Sequence, residues 1–111
     1  MNDKTPQKPD YESRKPLGKQ QKKYLKGLAH TLDPVVRIGQ KGLTEAVLAE
    51  LEIALDHHEL VKINLAGARE ERARQLDALC KATLAEPVQQ IGHTATVYRP
   101  NPQHPRIQFE S

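Results

Sequence analysis

The chain has 111 residues, of which 37% are hydrophobic and 28% are charged, a composition typical of one globular domain. It contains no apolar run near the roughly 20 residues that a membrane-spanning helix needs, and no signal-peptide segment, so we expect a cytoplasmic protein without membrane contact. Residues 1–41 carry ten Lys and Arg against four Asp and Glu, a net charge of +6, whereas residues 42–111 carry seven against ten, a net charge of −3. This asymmetry favours a polyanion-binding end, although a solubilising arm would give the same pattern.

Both ends of the chain are predicted to lie outside the core. Residues 1–16 contain three prolines, many charges and no Leu, Ile or Val, so they are predicted to form a disordered basic arm. Three prolines also fall within residues 100–105, which predicts a flexible tail over residues 101–111. The folded domain is therefore expected to span residues 17–100.

The first predicted elements are a helix and a short strand. Over residues 17–32, five apolar side chains fall within an arc of about 100° on a helical wheel, namely Leu17, Tyr24, Leu25, Leu28 and Leu32. Pro34 disfavours helical geometry in the residue before it and should end the helix. The β-branched run over residues 35–38 predicts a strand that stops at Gly39.

The second half of the domain alternates between helical and strand periods. Residues 43–57 predict a helix with Thr44 as its N-cap, and residues 61–65 predict a half-buried strand. A third helix is predicted over residues 69–83, followed by strands over 88–91 and 94–99 that Gly92 and His93 join as a tight hairpin. The order αβαβαββ predicts an α/β domain of two layers, with the helices on one face of a four-stranded sheet.

A stripe of lysines on the first helix is the first candidate binding feature. Lys19, Lys22 and Lys26 are three and four residues apart, which places them on one side of the helix, opposite the apolar arc. A solvated surface is the simplest explanation for such a stripe. However, residues 15–31 contain no Asp or Glu to pair with the lysines, and uncompensated like charges repel one another unless a polyanion neutralises them.

The second candidate is the segment Gly39, Gln40, Lys41 and Gly42 between the first strand and the second helix. Two glycines allow a ligand to come close to the backbone, and the start of the following helix favours an anion such as phosphate. The KH module clamps nucleic-acid backbone with a GxxG loop. A lone GxxG is weak evidence, but Arg37 and the basic helix precede this one.

The sequence offers little that would support catalysis or metal binding. His57 and His58 are adjacent, the other three histidines fall in different elements, and no Cys/His spacing suits zinc. No Walker loop, nucleophile elbow or dinucleotide-binding glycine motif is present. Cys80 is interpreted as a small buried apolar residue. We therefore expect no enzyme activity, no catalytic residue, no cofactor and no metal.

Several motifs in order resemble the CRM domain family, named for chloroplast RNA splicing and ribosome maturation, and its bacterial YhbY-type members in particular. They are LKGLAHTLDPVVRIGQKG from Leu25, LTEAVLAELEIALDHHELVKINL after it, and the closing IGHTATVYRP, so that the resemblance covers residues 17–100. It implies a mixed four-stranded sheet, similar to the C-terminal domain of a bacterial translation initiation factor. It also implies binding to ribosomal RNA in precursor large ribosomal subunits.

The resemblance places the family's RNA-binding loop on Gly39, Gln40, Lys41 and Gly42, and its basic first helix on Lys19, Lys22, Lys23 and Lys26. Arg37 is included because it precedes the loop. Three residues depart from the family pattern and bear on local stability: Gly18 is a weaker cap, Leu84 replaces a glycine, and Pro87 enters a strand. The leading hypothesis is a monomeric RNA-binding factor of large-subunit assembly. The alternative is a protein-interaction adaptor whose acidic second and third helices bind another factor.

Overall fold

A computed structural model describes residues 15–109, which form three helices and four strands. The helices are α1 (Lys19–Ala29), α2 (Glu45–His58) and α3 (Arg69–Thr83). The strands are β1 (Val36–Arg37), β2 (Leu60–Asn64), β3 (Glu86–Ile91) and β4 (Thr94–Tyr98). The predicted order αβαβαββ is confirmed, and most of the predicted N-terminal arm lies outside the described residues.

The four strands form one mixed sheet in the order β1-β2-β4-β3. β1 runs parallel to β2, whereas β2 and β4, and β4 and β3, pair antiparallel. This arrangement makes β3 an edge strand, where Pro87 is tolerated although it cannot donate a ladder hydrogen bond. A register shift between Pro87 and Gln89 marks a bulge in the same strand.

One face of the sheet is covered by α2 and α3 and carries most of the core. Val61 and Ile63 of β2 project onto this face and are buried together with Leu51 and Leu55 of α2 and Leu79 of α3. The apolar period of α2 explains this contact, because Leu51 and Leu55 are one helical turn apart. Thr44 caps α2 as predicted, its hydroxyl accepting a hydrogen bond from the N–H of Val47 at 3.2 Å.

The opposite face is covered in part by α1, so the domain has three layers and not the predicted two. Leu60 and Tyr98 alternate with Val61 and Val97 along their strands, and they pack against Leu25 and Ala29 of α1. The prediction that all helices lie on one face of the sheet was wrong. It considered only the side chains of β2 that point to the same face as Val61, and it overlooked Leu60 on the other face. The predicted α/β class and the mixed sheet are confirmed.

The segment after β4 lies against the α1 side of the fold, contrary to the predicted flexible tail. The carboxylate of Glu59, which is only 1% exposed, accepts hydrogen bonds from the backbone N–H groups of Asn101, Arg106 and Ile107 at 2.6, 2.8 and 2.7 Å. Phe109 packs edge-on against the ring of Tyr98 at 5.9 Å. The tail prediction considered only the prolines and missed a buried carboxylate that three backbone donors satisfy.

Arg99 ties the end of β4 to the two helices on the other face. Its guanidinium is buried and binds Glu52 and Asp56 of α2, each at 2.8 Å, and it donates to the carbonyl oxygen of Thr83 at 2.9 Å. The chain leaves α3 through Leu84, which adopts φ 62°, the left-handed conformation that glycine accommodates more easily. Leu84 therefore replaces the glycine of the family pattern, but the backbone at the end of α3 still adopts the left-handed conformation.

Candidate nucleic-acid interface

The GxxG segment forms a closed two-residue turn between β1 and α2. The N–H of Gly42 donates to the carbonyl oxygen of Gly39 at 3.0 Å, so Gln40 and Lys41 occupy the tip. Within the described part of the chain, the N–H groups of these two tip residues donate no hydrogen bond. The loop therefore presents free backbone donors beside the start of α2, an arrangement that suits an anionic ligand.

The two glycines differ in what they require. A β-carbon at Gly39 or at Gly42 would meet no heavy atom within 4 Å, so both positions face open space. Gly42 has φ +77°, which L side chains rarely adopt, whereas the backbone of Gly39 has no such restriction. The expectation that a ligand can approach the main chain here agrees with the open space, and only Gly42 also has a conformational reason to be glycine.

The surroundings of the loop differ in charge from one side to the other. On the α3 side, a cavity of about 480 Å³ is lined by the loop and by Glu70, Glu71 and Arg74. Arg74 neutralises Glu71 at 2.7 Å, and Glu70 leaves this side acidic. Arg37 lies on the α1 side, because Val36 and Ile38 on either side of it are buried against α2 and α3. An anion is therefore favoured on the α1 side of the loop.

The basic helix carries its predicted lysines, though not all are equally accessible. Lys19, Lys23 and Lys26 are exposed, whereas Lys22 is half-buried because it precedes the buried Leu25 by less than one turn. None of the four lysines makes an ion pair with another residue of the range 15–109. The charge of this helix is thus left for solvent or for a ligand.

The lysine helix and the loop lie toward opposite ends of one sheet face. The N–H of Leu17, just before α1, donates to the Glu86 carboxylate at the start of β3, at 2.9 Å to the nearer oxygen. The GxxG loop follows the end of β1, beside the end of the parallel strand β2. The predicted site residues therefore form two separate patches, and the sheet face between them bears Lys62 of β2.

Other candidate reactive groups are inert or scattered. Burial raises the pKa of the Cys80 thiol to about 12, with further contributions from the charges of Asp77 and Glu86, so the thiol stays protonated at neutral pH. Within residues 15–109, no group of three or more His, Cys, Asp and Glu side chains converges as metal ligands would. Over the same range, no helix combines the length and apolar character needed to cross a membrane.

The chain belongs to the CRS1 / YhbY (CRM) domain family, whose model matches residues 17–99. An RNA-binding protein of Haemophilus influenzae is 54% identical over 86 residues, which cover 77% of this chain and 87% of that protein. A probable RNA-binding protein of Pseudomonas aeruginosa is 51% identical over 87 residues, 78% of this chain and 84% of the relative. The predicted family resemblance is confirmed.

A solved structure supports the fold independently. The solution structure of a hypothetical Staphylococcus aureus protein, described as a candidate RNA-binding protein, superposes with a TM-score of 0.74 at 30% identity. The match covers 85% of this chain and 99% of the other. The αβαβαββ arrangement is therefore that of a CRM domain.

Proposed function

We propose that this protein binds RNA, with the GxxG loop holding the sugar-phosphate backbone and the lysines of α1 adding longer-range attraction. The observation that carries the proposal is the loop itself: two backbone N–H groups at its tip that donate no hydrogen bond to residues 15–109, a lysine at the tip, and open space at both glycines. Such a loop accepts a phosphate without a β-carbon in the way. Membership of the CRM family and the RNA-binding names of the relatives support the same function.

We further propose that the RNA is ribosomal, in precursors of the large ribosomal subunit. This step rests on the family resemblance and not on any contact in the fold. A backbone-clamping loop and an uncompensated basic helix suit a structured polyanion of this kind, because neither requires a particular sequence. The protein would then act as a monomeric assembly factor without catalytic activity.

The loop can be tested by three substitutions, measured as affinity for in-vitro transcribed large-subunit ribosomal RNA over a salt series. Lys41→Ala removes one charge, so we expect the slope of log K against log salt to fall in magnitude by roughly 0.7–0.9. Gly39→Ala should weaken binding at every salt concentration, because the methyl group occupies the approach to the backbone. Gly42→Ala should do the same and also destabilise the fold by about 1 kcal/mol, because of its positive φ.

Gly27→Ala is the matched control for Gly39→Ala. Gly27 lies on α1, and an added β-carbon there also meets nothing within 4 Å. This variant should gain about 0.5–1 kcal/mol of stability and keep its affinity for RNA. Full-strength binding by folded Gly39→Ala would mean that another loop holds the backbone.

Cellular association distinguishes the ribosomal proposal from the adaptor hypothesis. The tagged protein should sediment with particles of the large subunit in a sucrose gradient, and ribonuclease or high salt should release it. Retention on a partner protein after ribonuclease, with no change at high salt, would instead support an adaptor whose acidic helices make the contact. Absence from both RNA and ribosomal particles would contradict the proposed function.

A further inference from the structure

The part of the sheet face that α1 leaves uncovered contains a small cavity. It has a volume of about 190 Å³ and lies between the C-terminal end of α1 and three strands. Its lining residues are Ala29, His30, Lys62, Gln89, Ile91, Thr94 and Thr96. We call it the strand-face cavity, and it lies between the lysine helix and the GxxG loop.

The cavity contains polar groups that the fold does not use. Thr96 is 2% exposed, yet its hydroxyl has no hydrogen-bond partner among residues 15–109. The side chains of Gln89 and Thr94 are likewise without partners in that range. All three side chains line the cavity, so a ligand there can hydrogen-bond to them without breaking any contact of the fold.

The remaining walls are apolar or cationic. Ile91 is 63% exposed, unusually open for a large aliphatic side chain in a strand, and it offers an apolar surface, whereas Ala29 is buried. Lys62 donates one hydrogen bond to the carbonyl oxygen of Leu32 at 3.0 Å and keeps two further N–H donors. None of the lining residues is acidic. The cavity thus combines an apolar contact at Ile91 with polar groups of both donor and acceptor type.

We infer that the strand-face cavity binds one unstacked nucleobase of the RNA strand whose backbone the GxxG loop holds. This inference rests on the proposed function and adds sequence preference to it. A volume of about 190 Å³ lies below the roughly 300 Å³ at which small-molecule sites begin, and it suits a single ring system. Single-stranded RNA is read in this way, with a base face against a side chain and its edge hydrogen-bonded.

The position of the cavity supports a base of that strand as the occupant. Arg37 of β1 pairs in register with Asn64 of β2, which in turn lies opposite Thr94 of β4 at the cavity rim. A strand that leaves the loop on its α1 side, away from Glu70, therefore runs over Arg37 toward the cavity. Lys62 only donates, so the base must present an acceptor, a carbonyl oxygen or an unprotonated ring nitrogen.

The test uses Thr96→Val, which keeps the shape and the β-branching but removes the hydroxyl. The probes are dodecamers of single-stranded oligo(A), oligo(C) and oligo(U), with dissociation constants measured at two salt concentrations. For the native chain we expect unequal affinities, and shifts in the amide resonances of Lys62, Thr94 and Thr96 with the preferred dodecamer. Thr96→Val should weaken the preferred dodecamer by about 2- to 10-fold and leave the others and the salt slope unchanged.

Two measurements keep the result interpretable. Thr96→Val should unfold at a similar urea concentration, because the hydroxyl makes no hydrogen bond with residues 15–109 and valine keeps the shape of the side chain, so weaker binding would not reflect unfolding. Thr31→Val, an exposed position outside the lining, should leave all three affinities unchanged. Equal binding of all dodecamers, or an unchanged preference in Thr96→Val, would overturn this inference and leave the RNA-binding proposal standing. Failure of every RNA to bind would instead overturn the proposed function itself.

Discussion

The two faces of the sheet are built differently. The face under α2 and α3 is closed by aliphatic side chains, and the buried Arg99 fixes the helices to the end of β4. The face under α1 is closed by apolar packing only at the end where Leu25 meets Leu60 and Tyr98. Its other end, toward the GxxG loop, is open and carries polar side chains beside the exposed Ile91. The first face contributes mainly stability, whereas half of the second is left available to a ligand.

The two faces divide stability and binding between them. A small domain has little stability to spare, and the apolar packing of the closed face supplies most of it. Substitutions on the two faces should therefore separate folding from binding.

The largest effect is expected at the centre of the closed face. Leu51→Ala removes a fully buried side chain from α2 and should lower the free energy of unfolding by roughly 3–5 kcal/mol. Ile53 lies on the same helix but is 61% exposed, so Ile53→Ala should change it by less than about 0.5 kcal/mol. Urea titration of both variants measures the difference. A similar reduction in the two would mean that α2 packs in another orientation.

Arg99 and Arg37, which lie on opposite faces of the sheet, provide the second comparison. Arg99→Ala removes the cation that binds Glu52 and Asp56 and should cost about 3 kcal/mol, the low end for a broken buried pair, because Asp56 is 51% exposed and can be hydrated. Arg37→Ala should change stability by less than about 0.5 kcal/mol and should weaken RNA binding. Urea titration and RNA binding at low salt measure the two quantities. If Arg99→Ala weakened RNA binding more than Arg37→Ala in folded protein, the assignment of roles would be reversed.

The sequence predicted the elements of both faces better than their arrangement. Local periods were enough for α2, α3 and the hairpin at Gly92, since each is set by residues close together in the chain. The side on which α1 packs was not predicted, although Leu60 beside Val61 already indicated that both faces of β2 are buried. The roles of Glu59 and Arg99 depend on partners more than 40 residues away, which no local pattern reveals. The strand-face cavity was missed for the same reason.

The smallest effect on stability is expected on α1, where the open face meets solvent. Replacing Lys19, Lys22 and Lys26 with Gln should change the free energy of unfolding by less than about 0.5 kcal/mol, because none of them makes an ion pair among the described residues. The salt slope of RNA binding should fall in magnitude by roughly 0.7–0.9 for each phosphate that the variant no longer neutralises, with the half-buried Lys22 contributing least.

Two single variants separate the position of these charges from their number. Lys81 is exposed on α3 and Lys26 is exposed on α1, so Lys81→Gln and Lys26→Gln remove the same net charge from opposite sides of the molecule. If RNA passes over the α1 face, Lys81→Gln should keep the salt slope of the native chain, because Lys81 lies away from that path. Equal reductions of the slope in the two variants would show that net charge alone attracts RNA. An unchanged slope in the triple α1 variant would show that its lysines are only a solvated surface, and RNA binding would then have to depend on Arg37 and the loop.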